Sequence, residues 1–238
     1  MSNTHSVSES CLPNFTSIGY RKAYSRINGM VIVGEGLADR HFRHLAKLFP
    51  ADSEELLRLG AMEARHAKDF VGCGRNLGVK ADTSLAQKLL APLHKQFIEA
   101  ETKGDLVSCL VIQCIIIECF AIASYRTYLP VADSYASEIT RLVLNDEFQH
   151  LNYGEKWLES HFDQVVIGVE ACIKKVVPIA MNILTILHPD IKAIGMEPSE
   201  LAAEFAVCFQ ESLEKMGFIS KNAQKIIRGL IVAQMVAR

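Results

Sequence analysis

The sequence predicts an all-α fold: a four-helix bundle closed around a two-cation centre, with further helices packed on it to make about eight in total. Three observations lead there. First, Glu118 lies between Cys109 and Ala123 in a run that is otherwise apolar apart from Gln113. A bare carboxylate in such a core costs several kcal/mol even after relaxation, so Glu118 must be protonated, paired or bound to a cation. Second, Glu63-Ala-Arg-His66 and Glu147-Phe-Gln-His150 each place a Glu and a His three residues apart, on one face of a helix. Third, Glu35 is isolated in the apolar stretch Met30-Val-Ile-Val-Gly-Glu35, and the intervals repeat: 28 residues from Glu35 to Glu63, 29 from Glu118 to Glu147, 83 from Glu35 to Glu118 and 84 from Glu63 to Glu147. One helix pair is used twice, facing itself about a pseudo-twofold. A Glu from each of two helices plus Glu-x-x-His from each of the other two is the ligand set of dinuclear iron or manganese carboxylate bundles.

Charge balance agrees with that set. Four carboxylates cancel two divalent cations, and neutral imidazoles add nothing, so the loaded centre can sit in an apolar core. Oxygen ligands with two imidazoles suit iron or manganese better than zinc, and no thiolate belongs to the set. A single Glu-x-x-His arises by chance on surface helices, so the specificity lies in the repetition.

The elements follow in order. Thr16 or Ser17 caps a long first helix that stops at Pro50, with Ile27 and Val31 at four-residue steps before Glu35. Gly29, Gly34 and Gly36 are poor helix formers there and indicate close packing or a local bulge at the metal. Asp52-Ser-Glu-Glu55 reads as a capping box for the second helix, which carries Glu63 and His66 and ends near Gly78. A third helix spans about Asp82 to Lys103, kinked at Pro92. The fourth, capped by Asp105, carries Glu118 and stops at Leu129-Pro130; the fifth runs from Asp133 to about His161. A sixth follows Asp163, kinked at Pro178, then a connector from His188 to Pro198, and two amphipathic helices near Ser199–Met216 and Lys221–Val236. Residues 1–16 read as a disordered tail and 17–238 as one helical domain.

Composition narrows the class. With 238 residues, half of them hydrophobic, the chain can bury a large core. A net charge of −2 argues against non-specific binding to nucleic acid or anionic membrane. The seven cysteines are odd in number, lack a Cys-x-x-Cys pair and fall mostly in apolar helical stretches, as reduced residues of a cytoplasmic protein do. The longest apolar run is interrupted by Gln113 and Glu118, which argues against a transmembrane segment.

Around the ligands, Ile27, Val31, Phe70, Ile122 and Tyr125 lie within one or two turns, and form either a narrow apolar channel ending at the metals or ordinary core. Gln113, a buried amide, bonds a ligand carboxylate, a polar substrate group or a structural partner. Asp146 either accepts from the ring of His66 or His150, pairs with Arg65, or is exposed. His41, His44, His94, His161 and His188 lack carboxylates at ligand spacing and read as surface or core histidines. A centre of this kind can oxidise and store iron, generate a radical, or activate oxygen against an organic substrate.

Tyr24-Ser-Arg-Ile-Asn28, Glu63-Ala-Arg-His66, Cys73-Gly-Arg-Asn-Leu-Gly-Val79, Ile112-Gln-Cys-Ile-Ile-Ile-Glu118, Val131-Ala-Asp133 and Asp146-Glu-Phe-Gln-His-Leu-Asn-Tyr-Gly154 together resemble the cyanobacterial aldehyde-deformylating oxygenases, formerly called aldehyde decarbonylases. The resemblance runs from about Pro13 onward. It implies a ferritin-like di-iron enzyme that takes a long-chain fatty aldehyde, dioxygen as co-substrate and four external electrons to an alkane one carbon shorter plus formate. Glu35, Glu63, His66, Glu118, Glu147 and His150 match the family's ligands position by position, as two ferrous ions or, alternatively, manganese would require. The resemblance also sets Cys73, Gln113 and Tyr125 near the substrate channel or ligand shell. It implies reduced ferredoxin as electron donor, transient contact with the acyl-carrier-protein reductase that supplies the aldehyde, and a monomer in the cytoplasm. One departure is Gly36-Leu37-Ala38-Asp39, where the family usually continues with Gln and Glu. The competing class is a bacterioferritin-like ferroxidase or storage subunit, and a further one is another di-iron oxygenase or desaturase.

Overall fold

A computed structural model describes residues 12–236, with side chains to residue 228. The expected tail falls largely on residues 1–11, which lie outside the described residues, as does Cys11. Residues 12–16 are not a loose tail: Phe15 packs edge-on against Tyr20 at 5.2 Å, and the Asn14 side chain closes the turn before Ser17. The family of elements is all helical among the described residues.

Helix α1 spans Ile18–Leu48, N-capped by the Ser17 hydroxyl, which accepts from the Tyr20 N–H. Helix α2 spans Ser53–Asn76 after a short 3₁₀ turn, Pro50–Asp52. The capping box is absent: Asp52 makes no cap hydrogen bond, and its Oδ2 accepts from the Tyr153 hydroxyl at 3.0 Å instead. A tertiary partner has displaced the local one. Helix α3 spans Thr83–Thr102 and is capped by Asp82. Helix α4 is composite, with Leu106–Leu110 and Glu118–Tyr128 joined by a π-helical segment, Val111–Ile117. Helix α5 spans Ser134–Ser160, α6 Phe162–Ala193, α7 Pro198–Lys215 and α8 Ser220–Val236.

The bundle consists of α1, α2, α4 and α5, with α3, α6 and α7 packed around it. Leu106–Val131 is long and apolar enough to cross a membrane, yet 67% of its most apolar window is buried inside the molecule, so it serves as the central core helix. Three prolines sit inside helices, and the helices continue through each. Pro92, Pro178 and Pro189 are all exposed, so each ring sits on the solvent-facing side of its helix, away from the packed face. This overturns the connector expected from His188. Pro189 costs roughly 3 kcal/mol in a helix interior, but Leu187 and Ile191 on the same helix and Ile194 at its C-cap are buried and contribute roughly 1.5–3 kcal/mol each. Burial wins, and α6 runs on to Ala193.

Two glycines set helix approach. A Cβ on Gly29 would lie 2.5 Å from the Asp82 carbonyl oxygen, so α1 touches the α2–α3 loop backbone to backbone. That is the close packing expected of the α1 glycines. Gly34 and Gly36 have open space instead, and the bulge expected in α1 lies in α4. A Cβ on Gly154 of α5 would collide with the Cys114 Cβ in that π segment, so only glycine lets the two helices close there.

Candidate metal centre

Helical spacing delivers the six sequence-identified side chains to one point. Glu35 comes from α1, Glu63 and His66 from α2, Glu118 from α4, and Glu147 and His150 from α5, and all six are buried. Their ligand atoms form two quartets, each with all atoms within 4.8 Å of one another: Glu35, Glu63, His66 and Glu147; and Glu63, Glu118, Glu147 and His150. Glu63 and Glu147 belong to both, as bridging carboxylates between two cations would. Both imidazoles turn Nδ1 inward: that of His66 lies 3.3 Å from Glu35 and Glu63 and 3.4 Å from Glu147, and that of His150 lies 3.0 Å from Glu147 and 3.1 Å from Glu63.

The electrostatics fit a cation site. Burial and the neighbouring Glu147 push Glu63 well above the usual carboxylate range, and the same causes bring Glu118 up to about 8. Burial opposes charging His66 and His150, but the surrounding carboxylates outweigh it and raise both to about 10. Glu147, also buried, is held low by the two imidazoles beside it, with His150 hydrogen-bonded to its Oε2 at 3.0 Å. The cluster therefore concentrates positive charge. Glu63 Oε1 and Glu147 Oε1, buried and without hydrogen-bond partners, supply acceptors free for a metal.

The supporting shell is specific. The Tyr125 hydroxyl donates to Glu35 Oε1. Asp146 faces the outer nitrogen of His66 at 3.2 Å and is paired with Arg65, so His66 donates outward and its Nδ1 is the nitrogen that would give up its proton to a metal. His150 Nε2 has no such partner; its ring rests against Phe42 at 5.3 Å. Gln113 Nε2 donates to Glu118 Oε1 at 2.8 Å. The π segment makes that bond possible. Five residues in a regular α-helix turn roughly 140° away from alignment, whereas the wider π turn, with its i→i+5 bonding, stacks residues five apart.

An apolar cavity of about 210 Å³ opens onto Glu35, Glu63, Glu118 and Glu147 and is lined by Ile27, Val31, Phe70 and Tyr125 among others. Cys73, Gln113 and Ile122 are not among the residues that line it; Gln113 makes the bond to a ligand carboxylate that was one of its expected roles. Cys73 lies seven residues past His66, roughly 10 Å along the axis, and packs around Phe70, Tyr125 and Ala136. Ile122 turns into the main core, and Gln113 faces Glu118 and His41. The sequence reading missed Ala180, Ile183, Leu184 and Leu187 of α6, which close the cavity. Their i, i+3, i+4, i+7 spacing marks an apolar face without saying what it faces.

With this geometry in place, two comparisons bear on the chain. A family model described as long-chain fatty aldehyde decarbonylase matches residues 17–231. A solved structure, "Protein 19 with aldehyde deformylating oxidase activity from Synechococcus", is 53% identical, with a TM-score of 0.90 over 90% of this chain and 99% of that one.

Proposed function

This chain belongs to the long-chain fatty aldehyde decarbonylase family, and from that premise we propose that its six-residue cluster holds two iron ions. At that centre the enzyme deformylates long-chain fatty aldehydes, with dioxygen as co-substrate, to alkanes one carbon shorter plus formate. The observation that carries this reading is the pair of quartets sharing Glu63 and Glu147 at the mouth of an apolar cavity. Nothing in the fold or the comparisons favours an iron-storage role.

Two ferrous ions so held would supply oxygen activation next to the aldehyde carbonyl. Everything else is the work of the chain. Glu35 with His66 would hold one ion and Glu118 with His150 the other, with Glu63 and Glu147 available to both. Tyr125 and Gln113 hold the two non-bridging carboxylates by one hydrogen bond each. The cavity takes the alkyl chain, directs the carbonyl toward the carboxylate end and excludes water from reactive carbon species. Reduced ferredoxin supplies the electrons, and the acyl-carrier-protein reductase that makes the aldehyde is met transiently by a monomer. A cytoplasmic setting suits the six described cysteines, all free thiols.

The test is to incubate iron-loaded protein with octadecanal, oxygen and a reducing system and to measure heptadecane and formate together. Glu118→Ala should lose product and iron content in parallel. A Glu118→Ala protein with full iron and full alkane output would remove Glu118 from the centre.

A further inference from the structure

The buried histidine His41 lies outside the ligand set, yet a chain of hydrogen bonds ties it to the centre. Gln113, wholly buried, donates through Nε2 to Glu118 Oε1 at 2.8 Å. Its Oε1 lies 2.7 Å from His41 Nδ1, and His41 Nε2 lies 2.9 Å from His94 Nδ1. His94 lies at the edge of a surface depression on α3 with Lys95, Ile98 and Thr102. None of Gln113, His41 and His94 lines the apolar cavity.

We propose that His41 is a positioning residue for Glu118, and that His94 sets its tautomer. The logic is one of donors and acceptors. Glu118 is ionised when it binds a cation and then only accepts, so Gln113 must turn its N–H toward Glu118 and its carbonyl toward His41. The carbonyl only accepts, so His41 carries its proton on Nδ1. Burial, with His94, His44 and Arg40 nearby, lowers the pKa of His41 to about 3, so the ring is neutral and its Nε2 is bare. His94 therefore donates through Nδ1. Each link leaves the next one a single choice, and the last choice decides which face Gln113 shows to the ligand. The His41 ring lies flat on Phe97 at 3.8 Å, which fixes the plane in which its two nitrogens meet Gln113 and His94.

This inference rests on reading the cluster as a two-ion centre, and its test separates the two. His41→Phe keeps the stack on Phe97 and removes the donor. Titrating cobalt(II) into metal-free protein should show one of the two binding steps weakened about 10- to 100-fold, the range usual for loss of an outer hydrogen-bond partner. The other step, the one moved by Tyr125→Phe, should stay as in the parent protein. His41→Gln, which returns an N–H at similar reach, should recover most of the loss, and His94→Leu should weaken the same step by a smaller factor. Equal weakening of both steps, or none, overturns the positioning role, and an unchanged His94→Leu protein removes His94 from it. Should His41→Phe fail to fold, ¹⁵N chemical shifts of parent protein loaded with diamagnetic zinc(II), which keeps Glu118 ionised, decide: His41 protonated at Nε2 sinks the proposal. Absent alkane with a split cobalt titration would refute the catalytic reading alone; alkane without the split would refute this one alone.

Discussion

Tyr125→Phe isolates one hydroxyl at the centre. The phenol donates to Glu35 Oε1 from a buried ring that stacks on Phe70 at 5.4 Å. Burial, with Glu35 and Glu147 nearby, raises its pKa well above the ordinary tyrosine value, so it remains a neutral donor at any working pH. Phenylalanine keeps the ring and the stack and deletes the donor. A hydrogen bond to a charged group is worth about 1.5–3 kcal/mol, which converts to a loss of roughly 10- to 150-fold in affinity. The loss should fall on the ion served by Glu35 and His66, because Gln113 and not Tyr125 holds Glu118. Competition between metal-free protein and a chromophoric chelator for cobalt(II) measures both steps. Two steps within twofold of the parent values would show that Tyr125 does not hold Glu35 in its binding position, and equal losses in both would show that the sites are not separable.

Three other outcomes follow from the same geometry. Val31→Phe, which projects a ring into the cavity, should lower kcat/KM for long aldehydes relative to short ones by about tenfold, with iron content unchanged; an unaltered length preference would place the alkyl chain elsewhere. Gly154→Ala forces α5 off the π segment and should cost about 2 kcal/mol, or roughly 4–8 °C in melting temperature, while a neutral result would mean the contact is not tight. In metal-free protein, Glu118, His66 and His150 have folded pKa values above the unfolded ones, so the native state holds more protons between about pH 4.5 and 10, and stability falls as pH rises through that window. Melting curves at pH 6 and pH 9 should show the fall, and manganese(II) should reverse it at pH 9; a metal-free protein that gains stability with pH contradicts the sign.

Periodicity made the helices and the ligand set legible. Glu63 with His66 and Glu147 with His150 sit at a spacing that a helix converts directly into a shared face, and a lone charge in an apolar run, as at Glu35 and Glu118, has few stable explanations. Termini followed local chemistry at Ser17, Asp82, Asp105 and Asp133, where the cap needs only its own next turn. The same reasoning failed at Asp52, whose partner Tyr153 lies 101 residues away. It failed at Pro189, where the deciding burial comes from contacts between helices.

What the chain determined by itself is which side chains can meet: turn, rise and polarity are local, and they suffice to gather six buried carboxylates and imidazoles that could hold metal in a helical bundle. Tertiary structure alone decided how each ligand is held. The π segment that brings Gln113 onto Glu118, the reach of Tyr125 to Glu35, the choice of His66 over His150 by Asp146 and the closing of the cavity by α6 all depend on distances between elements far apart in sequence. Hydrogen bonds and cavity walls are set at the scale of tenths of an ångström by packing, and no periodicity encodes that.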